Sequence, residues 1–159
     1  MSPEQALGKI LREGHLTLAV AESITGGLVG DKITDVPGAS DYFLGAITSY
    51  SNKAKEDLLG VSSDTLRTHG AVSGECALEM AEGVRQRFRS DIGLSVTGIA
   101  GPSGATAEKP VGLVFFAYND GQMMLSESLV IPGDRAAIKH AAAEHLIAMA
   151  LELLSSERS

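Results

Sequence analysis

Large flat side chains and basic residues are both scarce in this 159-residue sequence. There is no tryptophan, and only three tyrosines and four phenylalanines are available to stack on nucleic-acid bases. Lysine and arginine total 13 against 20 aspartates and glutamates, which gives a net charge of −7. Such a charge repels a nucleic-acid backbone. We therefore expect no nucleic acid among the partners.

Long apolar runs and paired cysteines are also lacking. No run of about 18 apolar residues occurs, so we expect no membrane association. The opening Met-Ser-Pro-Glu-Gln lacks the basic and then apolar pattern of a signal peptide. The one cysteine, Cys76, cannot form a disulfide within the chain. These features favour a cytoplasmic protein.

Glycine is abundant instead, with 18 residues where average usage predicts about 11. Hydrophobic residues make up 44% and charged residues 21%, which is typical of a globular domain. We find no internal repeat or linker. The sequence predicts a single domain over residues 1–159, with a frayed tail at residues 155–159.

Strand patterns alternate with helical ones. Short apolar runs at residues 16–21, 43–50 and 92–97 predict buried strands. Residues 111–118 and 123–131 flank Asn-Asp-Gly, which predicts a β-hairpin. Because the hairpin must be antiparallel, we predict an α/β fold: an α/β/α sandwich with a mixed sheet. The helices are predicted after a Ser2 cap, over residues 28–34 and 52–58, in one turn capped by Ser63, over residues 73–88, and from Asp134 onward.

Polar segments follow three predicted strands, at residues 22–27, 50–55 and 97–109, and the first and third of them also contain glycines. Because ligands of open α/β sheets bind at the carboxyl ends of the strands, these segments predict one pocket. Ser23 lies at a strand-to-helix turn, where it is either a nucleophile or an ordinary helix cap. The amide groups and glycines after it suit an oxyanion or a phosphate.

A nucleophilic serine needs a base, and the four histidines (residues 15, 69, 140 and 145) are weakly placed. No Gly-x-Ser-x-Gly elbow supports a Ser-His-Asp hydrolase. A lysine of residues 50–55 is the alternative, with Tyr50 relaying the proton, although a solvated lysine is common on helices. Residues 97–104 lack the P-loop and dinucleotide patterns. Cys76 has no partner at metal-ligand spacing, so we expect no metal.

Six ordered segments carry a resemblance to a known family over essentially the whole sequence. The sequence resembles the CinA C-terminal domain family, the nicotinamide-nucleotide amidases of PncC type. The segments are Ala21-Glu22-Ser23-x-Thr25-Gly26-Gly27, Thr48-x-Tyr50-Ser51-Asn52-x-x-Lys55, His69-Gly70-Ala71-Val72-Ser73, Thr97-Gly98-Ile99-Ala100-Gly101-Pro102, Glu108-Lys109-Pro110-Val111-Gly112 and Pro132-Gly133-Asp134-Arg135.

The resemblance implies hydrolysis of the carboxamide of nicotinamide mononucleotide to nicotinate mononucleotide and ammonia, which recycles a pyridine nucleotide. It further implies a homodimer that needs no metal or organic cofactor. In the implied catalytic site Ser23 is the nucleophile, and Lys55 and Tyr50 complete a Ser-Lys-Tyr arrangement. The implied substrate-binding residues are Thr25, Gly26, Gly27, Thr97, Gly98, Gly101, Lys109 and Arg135, the last as a phosphate contact.

Two departures from the family pattern stand out: Ile24 where many members have cysteine, and a loop at residues 103–107 with fewer glycines. The pyrophosphatase activity of a separate domain in larger relatives is not assigned to these residues. Two other interpretations stay open: a non-catalytic module that binds pyridine nucleotides, and a serine-dependent amidase for another small carboxamide.

Overall fold

The structure is a computed structural model and describes residues 1–157. Within these residues, five strands form one sheet and six α-helices cover it. The strands are β1 (Leu18–Glu22), β2 (Phe43–Thr48), β3 (Ile92–Gly98), β4 (Leu113–Asn119) and β5 (Met124–Val130). The helices are α1 (Pro3–Glu13), α2 (Leu28–Thr34), α3 (Asn52–Leu59), α4 (Ser63–Thr68), α5 (Gly74–Phe88) and α6 (Arg135–Glu157).

The sheet is mixed, as predicted. Its strand order is β2-β1-β3-β4-β5. Strand β1 runs parallel to its two neighbours, β2 and β3, whereas β3, β4 and β5 pair antiparallel. The carboxyl ends of the three parallel strands therefore meet at one edge of the sheet, where the polar segments emerge.

Alternate residues of β1 face opposite helical layers. Leu18 and Val20 join the core that contains Leu146 of α6, and Ala19 and Ala21 pack in the core that contains Met80 of α5. These β1 side chains are fully buried. Helices α1 and α2 contact α6 on one face, and α3 and α4 contact α5 on the other, which confirms the α/β/α sandwich. In the described chain, no helix is long and apolar enough to cross a bilayer.

Some element boundaries differ from the sequence prediction. Strand β1 begins at Leu18 rather than residue 16, because the Leu16 amide donates to Leu11 O (2.9 Å) and closes the end of α1. The cap of α4 is Ser62 rather than Ser63, since the Ser62 hydroxyl accepts from the Thr65 amide. Of the tail predicted at 155–159, residues 155–157 are the end of α6, and residues 158–159 lie outside the described residues.

Gly83 lets α5 pack directly on the end of α3, because a Cβ at this position would overlap the carbonyl oxygen of Leu59. Alanine raises helix propensity by about 1 kcal/mol relative to glycine, so the two effects oppose each other. Because the obstacle is backbone, we expect Gly83→Ala to lower the free energy of unfolding by about 1–3 kcal/mol, measured by urea denaturation. An unchanged or higher midpoint contradicts this packing.

Candidate active site

Ser23 lies in the turn between β1 and α2, at the carboxyl edge of the sheet. Its amide donates to Val96 O on β3 (3.1 Å), so the residue stays attached to the sheet beyond the last residue of β1. Only 7% of Ser23 is exposed, and it lines a cleft of about 310 Å³. The turn thus presents Ser23 to a small cleft.

The residue before it, Glu22, has a buried carboxylate that organises this turn. Its Oε1 accepts from the Thr25 hydroxyl (2.6 Å), the Gly27 amide (3.1 Å) and the Val29 amide (3.0 Å). Its Oε2 accepts from the Gly30 amide (2.9 Å). The carboxylate therefore satisfies donors at the start of α2 that no preceding helical carbonyl can reach.

Three of the predicted substrate-binding residues consequently serve the turn itself. The Thr25 hydroxyl and the Gly27 amide are bonded to Glu22, and the Gly26 amide donates to Ser23 O (3.1 Å). Gly26 and Gly27 have φ values of 61° and 111°, which favour glycine. The Gly26 and Gly27 amides, which the sequence suggested for an oxyanion or a phosphate, are thus already engaged.

Lys55 reaches Ser23 from the end of the neighbouring strand. The Ser51 hydroxyl caps α3 by accepting from the Ala54 amide, which places Lys55 one turn into the helix. Its Nζ donates to Ser23 Oγ (2.9 Å) and to Ser49 O (2.6 Å), and only 1% of the residue is exposed. The predicted pair of nucleophile and lysine is therefore in direct contact in the structure.

Burial lowers the pKa of Lys55 below its usual value of 10.5, and the nearby Cys76 opposes this shift. Burial in turn raises the pKa of Cys76 to about 11, so its thiol carries no charge near neutral pH. No carboxylate of residues 1–157 forms an ion pair with Lys55. The surroundings therefore favour the neutral amine, which is the form able to act as a base.

The Tyr50 side chain points away from this pair. Its hydroxyl accepts from Arg135 Nη2 (3.0 Å), and Arg135 Nη1 donates to Gly101 O (2.7 Å). In the part of the chain that the structure describes, the Tyr50 hydroxyl has no hydrogen bond to Ser23 or Lys55. The structure thus brings the serine and lysine of the implied Ser-Lys-Tyr arrangement together, whereas the tyrosine hydroxyl lies against Arg135.

The cleft also contains four of the other predicted residues: Thr97, Gly98, Gly101 and Arg135. The Thr97 hydroxyl donates to Ala71 O (2.9 Å), so it fixes the wall of the cleft. Sequence reasoning assigned no role to several lining residues, although some lie within the motif segments already noted. These additional lining residues are Ile24, Asn52, Ala71, Val72, Ile99, Ala100, Ser103 and Gly104.

The glycines of the third segment are explained by packing inside the protein. A Cβ at Gly98 would lie 2.7 Å from Leu113 O, and one at Gly101 would lie 2.5 Å from Val111 Cγ1. Both distances are too short for a real Cβ contact, so the loop needs glycine to lie against β4 and the residues before it. Close approach to a ligand is not required to explain them.

Lys109 and the histidines lie outside the cleft lining. Lys109 Nζ donates to the carbonyl oxygen of His69, which is the residue that ends α4. His145 contacts Glu127, on the side of the molecule formed by α6 and β5. Among residues 1–157, no group of three histidine, cysteine or acidic side chains is placed to hold a metal ion.

Comparison with known proteins identifies the family. Residues 1–156 match the model of the CinA C-terminal domain. The chain belongs to this family. The resemblance that the six motif segments carry is therefore confirmed, and Ser23 and Lys55 lie in contact in a CinA C-terminal domain.

Relatives of this CinA domain are longer proteins. A protein named for competence and damage induction, from Thermoanaerobacter sp. (strain X514), is 52% identical over 136 residues, which are 86% of this chain and 33% of that protein. A "CinA-like protein" from Pseudothermotoga lettingae is 41% identical over 96% of this chain and 38% of its own length. The chain thus spans about a third of the length of these relatives.

Solved CinA structures share the fold over nearly the whole chain. The competence/damage inducible protein CihA from Agrobacterium tumefaciens is 37% identical, with a TM-score of 0.90, over 96% of this chain and 95% of that one. A CinA superfamily protein from Klebsiella pneumoniae is 27% identical, with a TM-score of 0.92, over 98% and 99% of the two chains.

We predict that Glu22→Gln loosens the turn that carries Ser23. An amide offers one acceptor oxygen where the carboxylate offers two, so at least one buried donor loses its partner. The expected loss is about 2–3 kcal/mol of unfolding free energy, measured by urea denaturation. Glu13→Gln, at an exposed residue of α1, is the matched control. Equal stability of the two variants contradicts the assigned role of Glu22.

Proposed function

We propose that this CinA domain is a nicotinamide-nucleotide amidase, which hydrolyses the carboxamide of nicotinamide mononucleotide to nicotinate mononucleotide and ammonia. The observation that carries the proposal is the 2.9 Å contact between Lys55 Nζ and Ser23 Oγ in a buried site without a carboxylate partner for the lysine. A helix cap needs no such partner. A hydroxyl that is hydrogen-bonded to a buried amine is suited to covalent catalysis on an amide.

In the first step the neutral Lys55 amine takes the proton of the Ser23 hydroxyl while Oγ attacks the amide carbon. The ammonium formed on Lys55 keeps the carbonyl oxygen of Ser49 as a hydrogen-bond acceptor. That bond fixes the position of the Lys55 amine during the transfer. The product of this step is a tetrahedral adduct on Ser23, in which the former carbonyl oxygen is an oxyanion.

Backbone amides along the cleft are the donors that we assign to the oxyanion. Ile24, Ala100 and Gly101 line the cleft, and their amides have no acceptor within residues 1–157. An amide directly after a nucleophile is a common member of such a site. A positioned donor of this type lowers the activation barrier by about 3–4 kcal/mol.

Collapse of the adduct breaks the carbon–nitrogen bond. The Lys55 ammonium returns the proton to the leaving nitrogen, so ammonia departs and an ester remains on Ser23. The neutral amine then takes a proton from water, which attacks the ester, and Ser23 recovers its hydroxyl proton as the acid leaves. One water is consumed for each carboxylate and ammonia formed, and no metal or organic cofactor takes part.

Tyr50 has a different role in this proposal from that of a proton relay. It is 63% exposed at the rim of the cleft, and Arg135 holds its hydroxyl (3.0 Å). The nicotinamide ring of the nucleotide is a pyridinium cation, which is attracted to an aromatic face. We assign Tyr50 to contact with this ring, and Thr97, Gly98 and Gly101 to the wall of the pocket.

The remaining expectations stay predictions. A homodimer and a cytoplasmic location rest on the family resemblance and the composition. The domain extent of residues 1–159 is likewise proposed. Thr25, Gly26 and Gly27 are not included in the proposed binding set, because their polar groups are bonded within the protein. Lys109 is not included because it lies outside the cleft lining.

The Ser23→Ala variant tests the nucleophile. With nicotinamide mononucleotide as substrate, we expect wild-type protein to release ammonia, with or without a chelator, and Ser23→Ala to release none above background. Ser40→Ala, at an exposed serine outside the cleft lining, is the matched control and keeps wild-type turnover. Circular dichroism checks that each variant folds.

Parallel assays with nicotinamide riboside and free nicotinamide separate the competing functions. Nucleotide binding without ammonia release by the wild-type protein identifies a sensing module. Equal turnover of the phosphate-free amides identifies an amidase of another specificity. Wild-type turnover in Ser23→Ala rules out Ser23 as the nucleophile.

The pH dependence of kcat/KM tests Lys55 as the base. The lysine acts when neutral, so kcat/KM rises with pH through the pKa of Lys55, which burial holds below 10.5. Lys55→Ala removes this rising limb and lowers kcat/KM by about 100- to 10,000-fold. Lys53→Ala, an exposed lysine on the same helix, is the control. An unchanged rising limb in Lys55→Ala assigns the base to another group.

A further inference from the structure

The first turns of α6 place two basic residues on one face. Arg135 and Lys139 are four residues apart in the helix, so their side chains are neighbours. Arg135 lines the cleft that contains Ser23. Lys139 therefore lies one helical turn farther along α6 from a residue of the cleft wall.

Lys139 also lies against the turn that carries the nucleophile. Its Nζ is 3.8 Å from the position that a Cβ on Gly26 would occupy. Gly26 is exposed, and its amide donates to Ser23 O (3.1 Å). The Lys139 ammonium is thus at the solvent side of the turn from Ser23 to Gly27, between this turn and α6.

Both side chains keep free hydrogen-bond donors. Arg135 uses two of its five N–H groups, on Gly101 O and on the Tyr50 hydroxyl. Lys139 has no hydrogen bond or ion pair within residues 1–157. The nearest acid in sequence, Asp134, accepts from the Ala137 amide (2.9 Å) at the start of α6. Three donors of Arg135 and three of Lys139 thus remain for a ligand.

Some cations of this acidic chain have a carboxylate partner, as Lys53 has in Asp57 (2.9 Å). The side chains of Arg135 and Lys139 form no such pair among the described residues. An anion is the ligand that this arrangement favours, and a phosphate can accept from both side chains at once.

We propose that Lys139 and Arg135 together bind the phosphate group of a mononucleotide, with Lys139 as a specificity residue that has had no assigned role. This inference rests on the proposed function for the identity of the rest of the ligand. The carboxamide and the phosphate are at opposite ends of nicotinamide mononucleotide. Ser23 attacks the carboxamide, and Arg135 and Lys139 on the face of α6 bind the phosphate.

Binding of ribose 5-phosphate tests the site without any turnover. We titrate the full chain calorimetrically with this probe and compare wild type with Lys139→Ala, Lys139→Arg and Lys9→Ala. Loss of a charge-assisted hydrogen bond weakens binding about tenfold or more in Lys139→Ala. Lys139→Arg keeps most of the affinity, and Lys9→Ala, an exposed lysine of α1 outside the cleft, keeps all of it.

Kinetics provide the second readout. The ratio of kcat/KM for nicotinamide mononucleotide to that for the riboside falls about tenfold in Lys139→Ala and recovers in Lys139→Arg. An unchanged affinity for ribose 5-phosphate in Lys139→Ala overturns the proposal, as does an equal loss in Lys9→Ala. Absence of ammonia release by wild type, with ribose 5-phosphate affinity still dependent on Lys139, overturns the amidase function and leaves the phosphate site standing.

Discussion

The Glu22 carboxylate is enclosed at the end of β1, and its four donors come from the turn and the first residues of α2. A buried charge is costly unless such bonds compensate it, so the carboxylate and the turn stabilise each other. These hydrogen bonds fix the position of Ser23, because Ser23 lies in the chain between Glu22 and the donors. The cleft, the Lys55 contact and the approach of Lys139 all depend on where that turn lies.

The parallel half of the sheet explains why the site contains residues distant in sequence. Ser23 follows β1, Lys55 follows β2 and Thr97 is the next-to-last residue of β3, and these three strands are adjacent and parallel. Their carboxyl ends meet at one edge. The hairpin of β4 and β5 adds no lining residue to the cleft. It completes the sheet and provides the surface on which the Gly98–Gly101 loop packs.

Local sequence signals predicted the elements well, and they predicted the partners of polar groups poorly. Helix α2 has the predicted limits, and all five predicted strands occur along the chain, because the spacing of apolar residues and the glycines at element ends are local features of the sequence. The choice of Lys55 came from motif resemblance, since no spacing rule places it beside Ser23. The donors around Glu22 were unpredictable for the same reason: a carboxylate adjacent to a serine gives no sign of which amides will surround it.

Burial of Lys55 connects the chemistry of the site with the stability of the fold. The pKa of Lys55 is below 10.5 in the folded protein, so the folded state binds fewer protons at this site than the unfolded state between these two pKa values. Across that window the contribution of Lys55 to stability rises with pH. At lower pH the fold carries a buried ammonium whose acceptors are Ser49 O, Ser23 Oγ and, at 3.5 Å, Tyr50 O rather than a carboxylate. A carboxylate partner would stabilise the ammonium, but it would also raise the pKa and remove the base. The absence of a carboxylate partner for Lys55 therefore lowers the stability of the fold at such pH, and the proposed reaction requires that absence.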